Sequence, residues 1–152
     1  MNLDFIYNDL KTDRKVFEKD YEFILNQDII VPDSKPDILE ILHRSSNICI
    51  ERQENKDGRL KINGIVHVDV MYMADNESND IRALNTEIEL NQTIDIDEGY
   101  SDVIPRVCAN IDSIECKITN ERKIGVTAKV NCTARLESNK NINYIENIRD
   151  GN

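Results

Sequence analysis

Four cysteines, Cys49, Cys108, Cys116 and Cys132, and two histidines, His43 and His67, are all the thiols and imidazoles the 152-residue chain has for nucleophilic or soft-metal chemistry. A structural zinc site usually draws its ligands in close pairs such as C-x-x-C. No such pair occurs, so zinc would need ligands gathered from distant strands. A cysteine nucleophile needs a base within reach and commonly sits on a glycine-rich elbow, and no glycine flanks any of the four thiols. These residues are therefore expected to be free thiols packed as small hydrophobes, with both histidines at the surface or rim. No catalytic, metal-binding or cofactor-binding residue is assigned, and the chain is expected not to be an enzyme.

Charge narrows the partners. The 29 Asp and Glu against 19 Lys and Arg give a formal net charge of -10. Such a surface repels phosphate backbones, which argues against nucleic acid. Acidic and basic residues are interspersed, and 39% of the chain is hydrophobic. That is too much, and too regularly patterned, for a disordered chain. No run approaches the roughly 18 apolar residues of a membrane span, and "MNLDFIYNDL" lacks the basic start and apolar core of an export signal, so neither membrane insertion nor export is expected.

The elements that must position any site alternate with period two. In "GRLKINGIVHVDVMYMAD" residues Leu60, Ile62, Gly64, Val66, Val68, Val70 and Tyr72 share one face, opposite Lys61, Asn63, His67 and Asp69. In "ERKIGVTAKVNCTARLE" the inward set is Ile124, Val126, Ala128, Val130, Cys132, Ala134 and Leu136. The preceding strand, "DVIPRVCANIDSIECKI", alternates in two phases that one extra residue near Asp112 and Ser113 would reconcile as a β-bulge. Across the turn at "TNERK", where Asn120 can take a positive φ, Ile118 then faces Ile124, Cys116 faces Val126 and Ala109 faces Cys132. Cys116 and Cys132 fall roughly 20 Å apart along the ladder and cannot bridge each other.

Shorter strands are predicted over residues 46–54, 81–90 and 92–97, with Gly58, Gly64 and Gly99 punctuating them and "MADNESND" as a polar hairpin connection. Gly64, inside a strong alternating run, marks a bend or a close backbone approach. In the amino-terminal third a strand is expected from about Tyr21 to Ile30. The tail "NKNINYIENIRDGN" offers Ile142, Tyr144, Ile145 and Ile148 as a small apolar handle.

The least ordinary stretch is "IIVPDSKPDILEIL", residues 29–42. Pro32 keeps Val31 extended and closes a strand. Ser34 with Asp37 makes an S-x-x-D capping box with Pro36 in the first turn, so a short helix is predicted over residues 35–42. Ile38, Ile41 and Leu42 would gather on its inner side and plug one end of the sheet. Lys35, Asp37 and Glu40 would stay outside as a candidate protein interface. The fold expected is all-β, an antiparallel sandwich or flattened barrel of about seven to nine strands with this single helix.

The order "V-P-D-x-x-P-D-I-x-x-I-L", then "K-I-N-G-I-V-H-V-D-V-M-Y", then "ERKIGVTAKVNCTA" resembles the SPOCS domain of endospore-forming Firmicutes. Val31, Pro32, Asp33, Pro36, Asp37 and Ile38 carry the first motif. Ile62, Gly64, Val66, Met71 and Tyr72 carry the second, and Arg122 with Ile124 and Val126 the third. The resemblance covers Glu18 to Leu136, so the chain divides into an arm (1–17), a SPOCS-like β domain (18–137) and a tail or linker (138–152). It implies a non-enzymatic, SipL-like spore coat or cortex morphogenetic protein. Such a protein adapts another spore-envelope protein, such as the coat basement-layer ATPase, at the forespore surface in the mother cell. Family members often add a LysM module that binds peptidoglycan, for which these residues leave no room. The alternative is a self-assembling subunit of a spore-surface layer or fibre, joined through an exchanged amino-terminal strand.

Overall fold

A computed structural model describes residues 15–96 and 103–138. The proposed arm up to residue 14, the tail beyond residue 138 and Gly99 lie outside the described residues. Six strands follow in chain order: β1 (Lys15–Ile30), β2 (Ile38–Lys56), β3 (Arg59–Ala74), β4 (Ile81–Asp95), β5 (Val103–Asn120) and β6 (Lys123–Ser138). They form two three-stranded antiparallel sheets, β1-β6-β5 and β2-β3-β4. One hydrophobic core joins the inner faces of both sheets. No ladder connects the sheets among the described residues, so the architecture is a sandwich and not a closed barrel. Edges β2 and β5 lie close together, whereas β1 and β4 touch only sparsely.

The central strands β3 and β6 form as their alternation dictates. All seven inward residues of β3, Leu60 to Tyr72, and all seven of β6, Ile124 to Leu136, are buried. A strand flanked on both sides must bury one full face, and only strict period-two patterning permits it. The β5–β6 register matches the sequence reading: Ile118 faces Ile124, Cys116 faces Val126 and Ala109 faces Cys132, with an irregularity between Ile111 and Ser113.

The edge strands depart from expectation. Among the described residues six strands are found in place of the seven to nine predicted, because segments read as separate are continuous. Residues 81–90 and 92–97 were expected as two strands, but Leu84, Ile88, Leu90 and Ile94 keep one phase and are all buried in a single β4. Asn91 interrupts nothing, since it sits on the outer face and accepts a bond from Asn63 Nδ2 at 3.1 Å. Likewise β2 begins at Ile38, not near residue 46.

The helix over residues 35–42 is absent. The Lys35 N–H donates to Pro32 O at 2.9 Å, closing a turn, and the Ile38 N–H donates to Glu121 O at 2.8 Å in place of any helical acceptor. Asp37 sends its carboxylate to Arg122 instead of capping a backbone amide. The i, i+3 spacing of Ile38 and Ile41 is produced by a bulge in β2 between Ile38 and Glu40. One extra residue restores the phase, so Ile38 is buried and Ile41 packs against the core. Leu42, expected inside, stands 42% exposed beside a second bulge between Ile41 and His43.

Turn chemistry explains the remaining corners. Asp57 and Gly58 both have positive φ, 54° and 72°, as a two-residue hairpin turn between β2 and β3 requires. Asn120, expected to do the same, keeps a negative φ; its Oδ1 accepts instead from the Arg122 N–H at 2.8 Å.

All four cysteines are free. Cys49 and Cys108 are exposed, Cys116 is partly buried and Cys132 is buried. Burial pushes the Cys116 thiol above its ordinary range and raises Cys132 from 9.0 to about 11. Alkylation with iodoacetamide at mildly alkaline pH should therefore modify Cys49 and Cys108 first, Cys116 more slowly, and Cys132 only on unfolding. Because the folded thiol of Cys132 ionises above its unfolded counterpart, its contribution to stability is complete below pH 9.0 and lost as pH rises towards about 11. Thermal melts across that interval, compared with Cys132→Ala, read the effect; rapid alkylation of Cys132 in the native state would contradict the assignment.

Candidate functional site

The connection from β1 to β2, residues 31–37, wraps around the β5–β6 turn. Its two ends are fixed by backbone bonds: the Val31 N–H to Arg122 O at 2.9 Å and the Ile38 N–H to Glu121 O at 2.8 Å. Two prolines and a turn in seven residues leave most of its carbonyls without a regular partner. A side chain must supply the donors, and Arg122 does. Its Nη2 donates to Pro32 O at 2.7 Å and Val31 O at 3.2 Å, and its Nη1 donates to Lys35 O at 3.1 Å and Asp37 Oδ1 at 2.7 Å. A planar fork with five donors can do this from one position, and a lysine cannot.

The third member is Tyr72, near the end of β3. Its ring is buried and its hydroxyl donates to Pro36 O at 2.8 Å. Burial pushes the phenol above its usual range, with Arg82 and Arg122 pulling it down and Asp37 pushing it up. Lys35 crosses to β4 and donates from its ammonium to Ala83 O. The Asp75 N–H donates to Asp37 O at 2.9 Å, tying in the loop after β3. Residues from all three sequence motifs, Val31 to Asp37, Tyr72 and Arg122, thus meet at one end of the sandwich.

The remaining candidates separate by role. Asp33 and Ser34 are exposed on the turn, Pro36 is partly covered, and Ile38 seals the core beneath. Gly64 lies far down β3 and is a close approach of backbone: a Cβ there would sit 2.6 Å from Cys49 O. Of the predicted interface charges, Lys35 and Asp37 are engaged within the clamp, and Glu40 is exposed on β2.

Glu40 lies in the ladder row Glu40, Met73, Ile81, and the next row on the same face of β3 is His43, Met71, Ala83. Around these rows stand Leu39 (49% exposed), Leu42 (42%), Met71 (42%) and Ile81 (58%). Sequence reasoning missed this patch, because it placed Leu42 in the core and gave Leu39 and Ile81 no role. The bulge residues of β2 could have been found only by noticing that the apolar phase slips twice between Ile38 and His43.

Among the described residues no group of three or more His, Cys, Asp or Glu could hold a metal ion. No described helix is long and apolar enough to cross a membrane.

Residues 37–119, more than half of the chain, match the SipL, SPOCS domain family, and the chain belongs to that family. The matched stretch holds Asp37, Gly64 and Tyr72, while Val31 to Pro36 and Arg122 lie just outside it. Neither curated proteins nor solved structures give a match.

Proposed function

We propose that the chain is a non-enzymatic adaptor domain of spore-envelope assembly, which binds another morphogenetic protein at the forespore surface within the mother cell. Family membership supports the setting. The observation that supports a binding role is the cluster of Leu39, Leu42, Met71 and Ile81, four large apolar side chains exposed around two successive ladder rows of one β3 face. Scattered exposed aliphatics are ordinary, but a group on a rigid end of a sheet, rimmed by Glu40 and His43, is the anatomy of an interface centre with a polar rim. The clamp beneath fixes the backbone that carries it. Binding then needs little ordering of the surface, which favours affinity. The coat basement-layer ATPase is the partner this reading puts forward.

The test pairs two substitution classes in a pull-down from sporulating cells. Leu42→Asp and Ile81→Asp should abolish capture of the partner while leaving the melting temperature nearly unchanged, because both side chains already face solvent. Glu40→Lys should weaken capture and alter its salt dependence, as rim charges do. Retention of the partner by both aspartate variants would refute the patch as the contact surface. Size-exclusion chromatography at several concentrations separates the adaptor from a self-assembling layer subunit, whose particles would grow.

A further inference from the structure

The four edges of the two sheets are not equally protected. Edge β2 carries irregularities at three places and β5 at two, and these strands face each other across the close side of the sandwich. On the other side β4 pairs with β3 over fifteen residues, Ile81 to Asp95, without any shift, and among the described residues no strand lies on its far side. It contains no proline, glycine or lysine. Bulges, prolines and lysines are the usual guards of an edge, and here they are missing where an edge ladder runs furthest without a shift.

The direction of the free groups follows from the ladder. Just beyond its two ends the Ala74 N–H donates to Asp80 O at 2.7 Å and the Ile96 N–H to Gly58 O at 2.8 Å. Antiparallel pairs alternate between bonded and non-bonded, and no shift intervenes, so the even-numbered residues of β4 bond to β3. The N–H and C=O of Asn85, Glu87, Glu89, Asn91 and Thr93 therefore point away from the sheet. At the upper end this edge is already in use, since the Lys35 ammonium bonds Ala83 O. That contact marks where further pairing would stop.

Charge selects the occupant. Glu87 and Glu89 are exposed on this edge; Glu87 lies 3.4 Å from His67 Nδ1, and Glu89 faces Ile65 across the ladder. The comparable acids of β1 are matched from β6: Glu18 by Arg135, Glu22 by Lys129 and Asp28 by Lys123. A second copy of β4 would set carboxylates beside carboxylates, and β1 of a second copy would bring more acids. Self-pairing is thus opposed, and a basic strand is favoured. On the opposite face the added strand would lie beside buried Ile88 and Leu90, where apolar side chains belong.

We propose that the free edge of β4 from Asn85 to Thr93 takes up an extended segment of a partner protein in which basic residues alternate with apolar ones, as a fourth strand of the β2-β3-β4 sheet. The proposal rests on reading the chain as an interaction domain, and adds to it where and in what form a partner is held.

The probe is a synthetic peptide of alternating lysine and valine, about eight residues long, titrated into the protein at about 0.15 M salt. Three comparisons decide the outcome. Glu89→Pro deletes one edge-facing N–H and no donor to β3. The same peptide N-methylated on alternate residues removes backbone pairing without altering the protein, so it remains decisive should the proline variant fail to fold. Glu87→Lys with Glu89→Lys reverses the charge. Each should weaken binding about tenfold or more, the factor expected for a lost bond or repelled charge. Equal binding of the methylated peptide would mean charge alone and overturn the proposal, as would no binding to the native chain. A native dimer dissolved by Glu89→Pro would overturn it by showing the occupant to be a second copy. A cellular partner that is lost with Leu42→Asp and indifferent to Glu89→Pro would overturn the edge proposal and leave the adaptor reading standing.

Discussion

Arg122→Ala should lower stability by about 2–4 kcal/mol, more than removal of any other polar side chain in the described structure, because one guanidinium serves four acceptors. The substitution leaves the carbonyls of Val31 and Lys35 and the Asp37 carboxylate without the guanidinium, while Pro32 O keeps the Lys35 N–H. The side chains of Arg122 and Asp37 are 35% and 45% exposed, so water can recover part of the loss at the carboxylate. It is less able to do so at the Val31 and Lys35 carbonyls, whose bonds to the guanidinium are partly buried. The effect should therefore exceed a surface ion pair, worth about 0–1 kcal/mol, and fall short of a fully buried one, whose rupture costs about 3–5 kcal/mol. Arg122→Lys should recover less than half, since an ammonium supplies charge without the fork. Urea denaturation with an unchanged slope checks the prediction, and a cycle with Asp37→Asn isolates the carboxylate's share. A loss below about 1 kcal/mol for alanine would show that the turn holds itself through its backbone bonds alone.

The same residue shows where the sequence stops being readable. Arg122 stands in the turn just before β6, and Ile124 and Val126 announce that strand by alternation. Nothing local says that its side chain turns back to residues 85 to 91 positions earlier. Asp37, Pro36 and Ser34 even spell a plausible helix start, and their true partners decide otherwise. Tertiary bonds from Glu121, Arg122 and Tyr72 outcompete one capping box, which is worth only about 0.5–2 kcal/mol by itself. By contrast, β3 and β6 are central strands, where register is dictated by a buried face and a one-residue slip would expose it. The bulge after Ile111 was legible because the two apolar phases on either side are each several residues long. Two of the three in β2, at Leu39 and Leu42, stand only three residues apart, too close for either phase to establish itself. Edge strands tolerate such slips, and so their pattern is the weakest guide.

Gly64 tests how tightly that irregular edge is held against the core. Gly64→Ala removes a conformational liability, for alanine costs about 0.5–1 kcal/mol less to order, and φ at this position is not in the left-handed region. Sterics oppose that gain. A Cβ at Gly64 would lie 2.6 Å from Cys49 O and 3.2 Å from Ile50 Cδ1. The isoleucine tip can rotate, but the carbonyl is backbone of β2 and sits beside the irregularity between Ile50 and Arg52. Making room means moving the strand, and overpacking of that kind costs about 1–3 kcal/mol. The net expectation is a destabilisation of about 1–2 kcal/mol, accompanied by amide chemical-shift changes concentrated from Cys49 to Arg52. Gly125 supplies the contrast on β6, because a Cβ there meets nothing closer than Thr119 Oγ1 at 3.5 Å. Gly125→Ala should be neutral or stabilising by up to about 1 kcal/mol, with the entropic gain unopposed. Thermal melts of the two variants side by side decide the matter: if both substitutions stabilise equally, the close approach of β2 to β3 at Gly64 is soft, and the bulged edge is free to move as a whole.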